Sequence, residues 1–157
     1  MSAIQILVIE SNPSLLSLLT QCLRSESEFE LVGSALRVAP ALALLARTRP
    51  EIVVMDVRVP ETGLAQALGL FLKQSPQSKI ILLADCDETR YGQSVARYGV
   101  TACLRKACIA TQLIPLVKRV AREACLRRAQ PALPLEPKSQ SEIFCIAKEL
   151  SVSHGLS

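Results

Sequence analysis

Short apolar runs that alternate with helical patterns constrain the fold of this chain more than any other feature. Runs rich in Ile, Val and Leu predict five strands, at residues 4–9, 29–35, 52–55, 79–83 and 101–104. Helical spacing and helix start or stop signals predict five helices, at residues 15–23, 40–48, 64–73, 88–98 and 109–129. Strict alternation predicts an α/β fold with a doubly wound parallel sheet and helices on both faces.

The C-terminal part has a different composition. Residues 131–140 (PALPLEPKSQ) contain three of the nine prolines and are interpreted as a linker. Residues 141–150 are expected to form one short amphipathic helix, with Ile143, Ile146, Ala147 and Leu150 on one face. We therefore expect a main domain at 1–130, a linker at 131–140, and a short helix with its tail at 141–157. A single helix must dock on the main domain or a partner, or belong to a longer region.

Cysteine placement and hydropathy limit the cellular setting. The six cysteines form no C-x-x-C pair and the single histidine is His154, so no zinc site is expected. No apolar stretch approaches the roughly 20 residues that cross a bilayer. The N-terminus has no basic region before its apolar run, unlike a secretory signal. The expectation is a soluble, cytoplasmic chain with no membrane partner and with reduced thiols.

Basic residues are concentrated late in the chain, whose net charge is +4. Residues 105–128 contain seven Lys and Arg side chains against the single acidic residue Glu123. Two interpretations stay open at this point. The run is either a solvated helix face or a docking surface for an acidic partner or nucleic acid.

Polar residues follow four of the predicted strands. They are Glu10 and Ser11 after the first strand, Asp56 after the third, Asp85 after the fourth and Lys106 after the fifth. In an open α/β sheet, ligand chemistry gathers beyond the carboxyl ends of the strands. Carboxylates and a lysine on this edge predict a polar site there.

The segments that carry these residues resemble the response-regulator receiver domain of two-component signalling. They are ILVIES (6–11), IVVMDVRVPETG (52–63), IILLAD (80–85) and GVTACLRKA (99–107), and the match covers residues 3–128. Residues 108–123 are similar to the last receiver helix of the subfamily that carries a C-terminal helix-turn-helix. The resemblance implies a flavodoxin-like sheet in the order 2-1-3-4-5.

The resemblance also implies the chemistry of the site. Asp56 would be the phosphoacceptor, with a carboxylate oxygen as the nucleophile. Lys106 would pair with Asp56 and later with the phosphoryl group. Mg²⁺ would bind to Glu10, to Asp56 and to the backbone carbonyl of Arg58.

The partner implied by the resemblance is a histidine kinase or another regulator. A homodimer would form through the face made by the predicted fourth helix, fifth strand and fifth helix. The candidate residues of this face are Tyr91, Arg97, Tyr98, Arg105, Lys118, Arg119 and Arg122.

Four positions depart from the receiver pattern. Ser11 stands where receivers have a second acidic residue, which is a magnesium ligand. Ala84 replaces the Thr or Ser whose hydroxyl follows the phosphoryl group, and Cys103 replaces the aromatic residue that moves with it. Asp85 stands where a small residue is usual. The pattern indicates a degenerate receiver, with weak Mg²⁺ binding and weak or absent phosphorylation.

The sequence features suggest four candidate functions. The first is an atypical receiver that signals by protein contact, and the second is a working phosphorelay receiver with an unusual metal site. The third is a transcription regulator whose DNA-binding domain is missing or truncated here. The single helix at 141–150 cannot by itself place a recognition helix in a DNA groove, so this chain alone is not expected to bind nucleic acid. The fourth, an unrelated enzyme on the same fold, lacks support, since ESNPS (10–14) contains no phosphate-binding glycine. The chain is therefore not expected to be an enzyme.

Overall fold

A five-stranded, all-parallel sheet in the order β2-β1-β3-β4-β5 forms the centre of the computed structural model, which describes residues 2–85 and 95–129. The strands are β1 (Ile4–Ile9), β2 (Phe29–Ala35), β3 (Ile52–Asp56), β4 (Lys79–Ala84) and β5 (Val100–Arg105). The helices are α1 (Pro13–Arg24), α2 (Val38–Thr48), α3 (Leu64–Gln74) and α4 (Ile109–Ala129). This architecture confirms the predicted α/β fold and its strand order.

The helix labelled α4 is the predicted fifth helix, because most of the predicted fourth helix lies outside the described residues. Of that prediction, residues 96–98 form a short 3₁₀ helix instead of α-helix. Gly99 ends it with a φ of 83°, a left-handed conformation that suits glycine. The predicted linker at 131–140 and the predicted helix at 141–150 also lie outside the described residues.

Local signals explain how the elements begin and end. The Asn12 side chain accepts hydrogen bonds from the N–H groups of Ser14 and Leu15, and Pro13 occupies the first helical position of α1. A second 3₁₀ helix, Lys106–Cys108, joins β5 to α4, and the Ile109 N–H bonds back to the Lys106 carbonyl. The end of β5 and the start of α4 are therefore held together by one closed turn.

Two hydrophobic clusters cover the two faces of the sheet. On one face, Leu19 and Leu23 of α1 and Leu113 and Val117 of α4 pack on strand residues such as Val54. On the other face, α2 and α3 contribute Leu45, Leu68 and Phe71, which pack on Val53 and Met55. Strand β3 is buried along its whole length, as expected for a central parallel strand covered on both sides.

The parallel arrangement positions the polar site. Strand β3 lies between β1 and β4, and its last residue Asp56 pairs in register with Leu83. The carboxyl ends of β1, β3, β4 and β5 therefore meet at one edge of the sheet. Within the described ranges, no helix is long and apolar enough to cross a membrane.

Candidate functional site

Lys106 is the centre of a cluster of charged side chains at the carboxyl edge of the sheet. Its Nζ donates a hydrogen bond to Asp56 Oδ2 at 2.8 Å. The same Nζ lies 3.6 Å from Glu10 Oε2 and 4.0 Å from Asp85 Oδ1. Three carboxylates, from the ends of β1, β3 and β4, thus surround one ammonium group that follows β5.

Backbone N–H groups orient the carboxylates of Glu10 and Asp56, the two inner carboxylates of the cluster. Each of these residues is 1% exposed. Asp56 ends β3, and its Oδ1 accepts a hydrogen bond of 3.1 Å from the Arg58 N–H. Glu10 follows β1, and its Oε1 accepts a hydrogen bond of 3.0 Å from the Asn12 N–H. The loops after β1 and β3 therefore each orient one carboxyl group toward Lys106.

Burial and mutual attraction shift the proton affinities of the site. Burial raises the pKa of Glu10 above its ordinary value; the Asn12 N–H opposes this shift, while the nearby Asp56 charge adds to it. Burial lowers the pKa of Lys106, but the hydrogen bond that Lys106 donates to Asp56 and the three negative charges outweigh this effect, so the pKa of Lys106 is raised. Lys106 consequently stays a cation at neutral pH, while Glu10 holds its proton more tightly than an exposed glutamate.

An ion pair between Arg58 and Asp85 lies at the outer side of this cluster. Arg58 belongs to the loop after β3, and Asp85 directly follows β4. Their side chains are 66% and 38% exposed, respectively. The pair thus links two neighbouring loops at the solvent side of the Lys106 cluster.

The donor set fits a divalent cation only in part. Glu10 Oε2 is buried and has no hydrogen-bond partner among the described residues, which leaves one carboxylate oxygen for a cation. Both oxygens of Asp56 already accept hydrogen bonds, from the Arg58 N–H and from Lys106. In the described part of the chain, no three His, Cys, Asp or Glu side chains are grouped as a metal site. Mg²⁺ would be held by Glu10, Asp56 and the Arg58 carbonyl, with few protein ligands.

Besides Asp85, three positions depart from the receiver pattern, and the structure describes each of them. Ser11 is exposed, beside Glu10. Ala84 ends β4 as a fully buried methyl group, so that strand end offers no hydroxyl toward Asp56. Cys103 is half-buried on β5 and packs against the cluster formed with α2 and α3.

The predicted interaction residues that the structure describes are found in three places: before the start of β5, at the end of β5 and on α4. The Arg97 guanidinium lies 5.9 Å from the centre of the Tyr98 ring, and Arg105 is exposed at the end of β5. A groove on α4 is lined by Lys118, Arg119 and Arg122, together with the apolar residues Ile114, Pro115 and Leu126 and with Glu123. Tyr91 lies outside the described residues.

One residue of that groove, Lys118, forms ion pairs outside the groove. Lys118 Nζ forms an ion pair of 2.9 Å with Glu26, in the connection between α1 and β2, and lies 4.0 Å from Glu28. The hydrogen bond that Lys118 donates to Glu26 raises the pKa of Lys118. Lys118 thus points toward α1. The sequence analysis did not predict this contact, although Glu26 and Glu28 in SESEFE (25–30) indicated a basic neighbour. It also did not predict the ion pair of the Arg58 side chain.

The model of the response regulator receiver domain family matches residues 6–118 of this chain. A protein-glutamate methylesterase/protein-glutamine glutaminase 3 of Anaeromyxobacter dehalogenans is 32% identical over 144 residues, which cover 85% of this chain and 42% of that protein. The transcriptional regulatory protein MctR of Rhizobium johnstonii is 25% identical over 118 residues, which cover 75% of this chain and 55% of that protein. The chain thus spans about half the length of the curated relatives it matches.

Solved structures with the same fold include the response regulator domain of Thermotoga maritima CheB. It superimposes with a TM-score of 0.69 over 76% of this chain and 97% of that chain, at 18% identity. The signal receiver domain of the putative response regulator NarL from Mycobacterium tuberculosis gives a TM-score of 0.66 over 79% of this chain and 98% of that chain, at 21% identity. At these identities the likeness concerns the fold.

Proposed function

The chain belongs to the response regulator receiver domain family, and from this membership we propose that it is an atypical receiver that signals through protein contacts. Phosphorylation of Asp56 is weak or absent in this proposal, and the receiver unit itself is not an enzyme. The partner is a histidine kinase or another regulator, and the setting is the cytoplasm.

The carboxylates that already surround Lys106 are the observation on which the proposal rests. In a phosphorylation site, an ammonium group of this kind stabilises the negative charge that develops on the transferred phosphoryl group. Here that ammonium group already contacts Asp56 at 2.8 Å and has Glu10 and Asp85 as further anionic neighbours. A phosphoryl group on Asp56 would have to compete with the carboxylates of Glu10 and Asp85 for this one cation. The positive charge of Lys106 is therefore already neutralised without a phosphoryl group.

The changed switch positions support the same conclusion. Ala84 has no hydroxyl that could follow a phosphoryl group on Asp56, and Cys103 has no aromatic ring to move with it. A modification at Asp56 would thus lack the side chains by which receivers relay it. Signalling by a persistent surface, such as the basic groove on α4 or the region of Arg97 and Tyr98, requires no such relay.

If Asp56 were to accept a phosphoryl group, this chain's own residues would act as follows. The Asp56 carboxylate would be the nucleophile, oriented by the Arg58 N–H. Lys106 would move its hydrogen bond from Asp56 to a phosphoryl oxygen. Bound Mg²⁺ would supply positive charge at the transferred group.

A titration with Mg²⁺ and beryllofluoride, a phosphoryl mimic, tests the proposal. Amide NMR spectra of the ¹⁵N-labelled chain should show no saturable shifts at Asp56, Ala84 or Lys106, because a mimic on Asp56 cannot take Lys106 away from Glu10 and Asp85. Asp56→Asn is the control for non-specific binding. Saturable shifts that disappear in Asp56→Asn would contradict the proposal.

A second candidate is a working phosphoaspartate receiver of a transcription regulator. The close Asp56–Lys106 contact favours it, since the nucleophile and its cation are both in place. Relatives named as transcriptional regulators, such as MctR and DegU of Brevibacillus brevis, are consistent with it. The same titration separates the two, because the second candidate requires the saturable shifts.

A further inference from the structure

We propose that Arg58 is a phosphoryl-binding side chain that Asp85 holds out of the site. In this inference, the Arg58–Asp85 ion pair is the reason that Asp56 reacts slowly with phosphoryl donors. It deepens the proposed function and rests on Asp56 being the phosphoacceptor position.

The first argument is the placement of Arg58. Its backbone N–H donates to Asp56 Oδ1, so the residue is anchored directly beside the candidate nucleophile. Its side chain is 66% exposed and forms an ion pair with Asp85. An exposed arginine is held by its ion pair more than by packing, and such a pair has only a small stabilising energy. Asp85 is thus what keeps the guanidinium away from Asp56, and the guanidinium can change partners once the Asp85 charge is removed.

The second argument is the charge balance of the cluster. Glu10, Asp56 and Asp85 carry three negative charges, and Lys106 and Arg58 carry two positive charges, so the fully ionised cluster has a net charge of −1. A phosphoryl group carries about −1.5 to −2 charges. Because its bond to Asp56 uses up the negative charge of that carboxylate, phosphorylation makes the cluster more negative by about one charge or less. Removing the Asp85 charge would bring the cluster to zero and would release a guanidinium, whose planar donors suit phosphate oxygens.

The third argument is the contact between Asp85 and Lys106. Asp85 Oδ1 lies 4.0 Å from Lys106 Nζ, in addition to its ion pair with Arg58. The Asp85 carboxylate therefore contacts both cations, Arg58 and Lys106, that a phosphoryl group on Asp56 would use. No other described carboxylate forms ion pairs with both.

Phosphoramidate provides a direct test, because it is a small donor that needs no kinase. An Asp56 carboxylate oxygen attacks its phosphorus and forms a P–O bond, while the P–N bond breaks. The nitrogen of the zwitterionic donor already carries its protons, so it leaves as ammonia with the bonding electron pair. The product is an acyl phosphate, which adds the mass of one phosphoryl group to the intact chain.

The experiment compares the full chain with Asp85→Asn, Arg58→Gln and the double variant, in Mg²⁺ and phosphoramidate, by intact mass spectrometry over time. Asp85→Asn keeps the size of the side chain and removes its charge. It should be labelled about tenfold faster than the unsubstituted chain, the effect of one added charge-assisted hydrogen bond. In the Arg58→Gln background, the same Asp85→Asn change should accelerate labelling by less than about threefold, because no guanidinium is released.

Two results overturn the inference: no acceleration in Asp85→Asn, or equal acceleration with and without Arg58. Asp56→Asn must abolish the labelling, and far-UV circular dichroism checks that each variant is folded. Fast, complete labelling of the unsubstituted chain would refute weak phosphorylation, and the ratio between variants would still decide the role of Asp85. If no variant is labelled, the role of Asp85 is refuted and signalling by protein contact stands.

Discussion

Replacing Lys106 with methionine would remove the cation that Asp56 and Glu10 share. Both carboxylates are 1% exposed, so water cannot take over the role of the ammonium group. Methionine has a similar length and would fill the same space without the charge. The substitution therefore measures the electrostatic part of the contact at 2.8 Å between Lys106 and Asp56.

The expected magnitude follows from burial. Breaking a buried ion pair by removing one partner costs about 3–5 kcal/mol, because a charge is left uncompensated. The Lys106 side chain is 18% exposed, and Glu10 can escape part of the cost by taking up a proton, since its pKa is already raised. Both facts place the expected loss at the lower end, about 3 kcal/mol, or a fall of about 10 °C in Tm.

Urea denaturation followed by circular dichroism, with EDTA present to exclude divalent cations, measures this loss. Asp56→Asn in the Lys106→Met background serves as the matched control, because it removes the stranded carboxylate. The double variant should come within about 1 kcal/mol of Asp56→Asn alone. A loss below about 1 kcal/mol in Lys106→Met, or a further loss in the double variant, would refute the reasoning.

Three other substitutions test features of the fold and the site. Arg49 ends α2 with a φ of 45°, so Arg49→Gly should raise the free energy of unfolding by about 1 kcal/mol in urea denaturation, and a decrease would contradict this. The buried Ser78 hydroxyl donates to the Pro50 carbonyl at 2.6 Å and bonds to Ser75, so Ser78→Ala should cost about 1–3 kcal/mol, measured the same way; an unchanged midpoint would exclude it. The folded-state pKa of Glu10 is raised, so the folded chain binds its proton more tightly than the unfolded chain. Its stabilising contribution is thus present below its ordinary value of 4.5 and is lost as pH rises through the raised value. Glu10→Gln in EDTA should accordingly be more stable than the unsubstituted chain at neutral pH and lose that advantage on acidification, and a constant difference across pH would contradict it.

The strands could be predicted closely because their residue types and periods agree with their burial. The predicted bounds of β1 and β2 are those of the structure. The apolar run of β3 was predicted to end at Met55, but the strand continues to Asp56, because backbone pairing with Leu83 does not depend on the polarity of the side chain. In the same way β5 extends to Arg105, which pairs with Ala84. A polar side chain thus marks neither the end of a strand's hydrogen bonds nor, at Asp56, the end of its burial.

The inner site could be placed from sequence for a topological reason. Parallel strands end at one edge, so Glu10, Asp56 and Lys106 had to be near one another once the strand order was assumed. The outer ion pair of Arg58 and Asp85 could not be predicted in this way. It depends on the directions of two exposed side chains in two separate loops, which strand order does not determine.

The closed 3₁₀ turn at Lys106–Cys108 has a consequence for the lengths this connection can have. The backbone hydrogen bond from the Ile109 N–H to the Lys106 carbonyl fixes the distance between Lys106 and Ile109, the first buried residue of α4. One inserted residue would rotate α4 by about 100° relative to the sheet, since a helix has 3.6 residues per turn. The buried stripe that includes Leu113 and Val117 would then face solvent. Substitutions can be absorbed within this turn, but a change in its length cannot, which makes the spacing from Lys106 to Ile109 as much a part of the fold as the residues themselves.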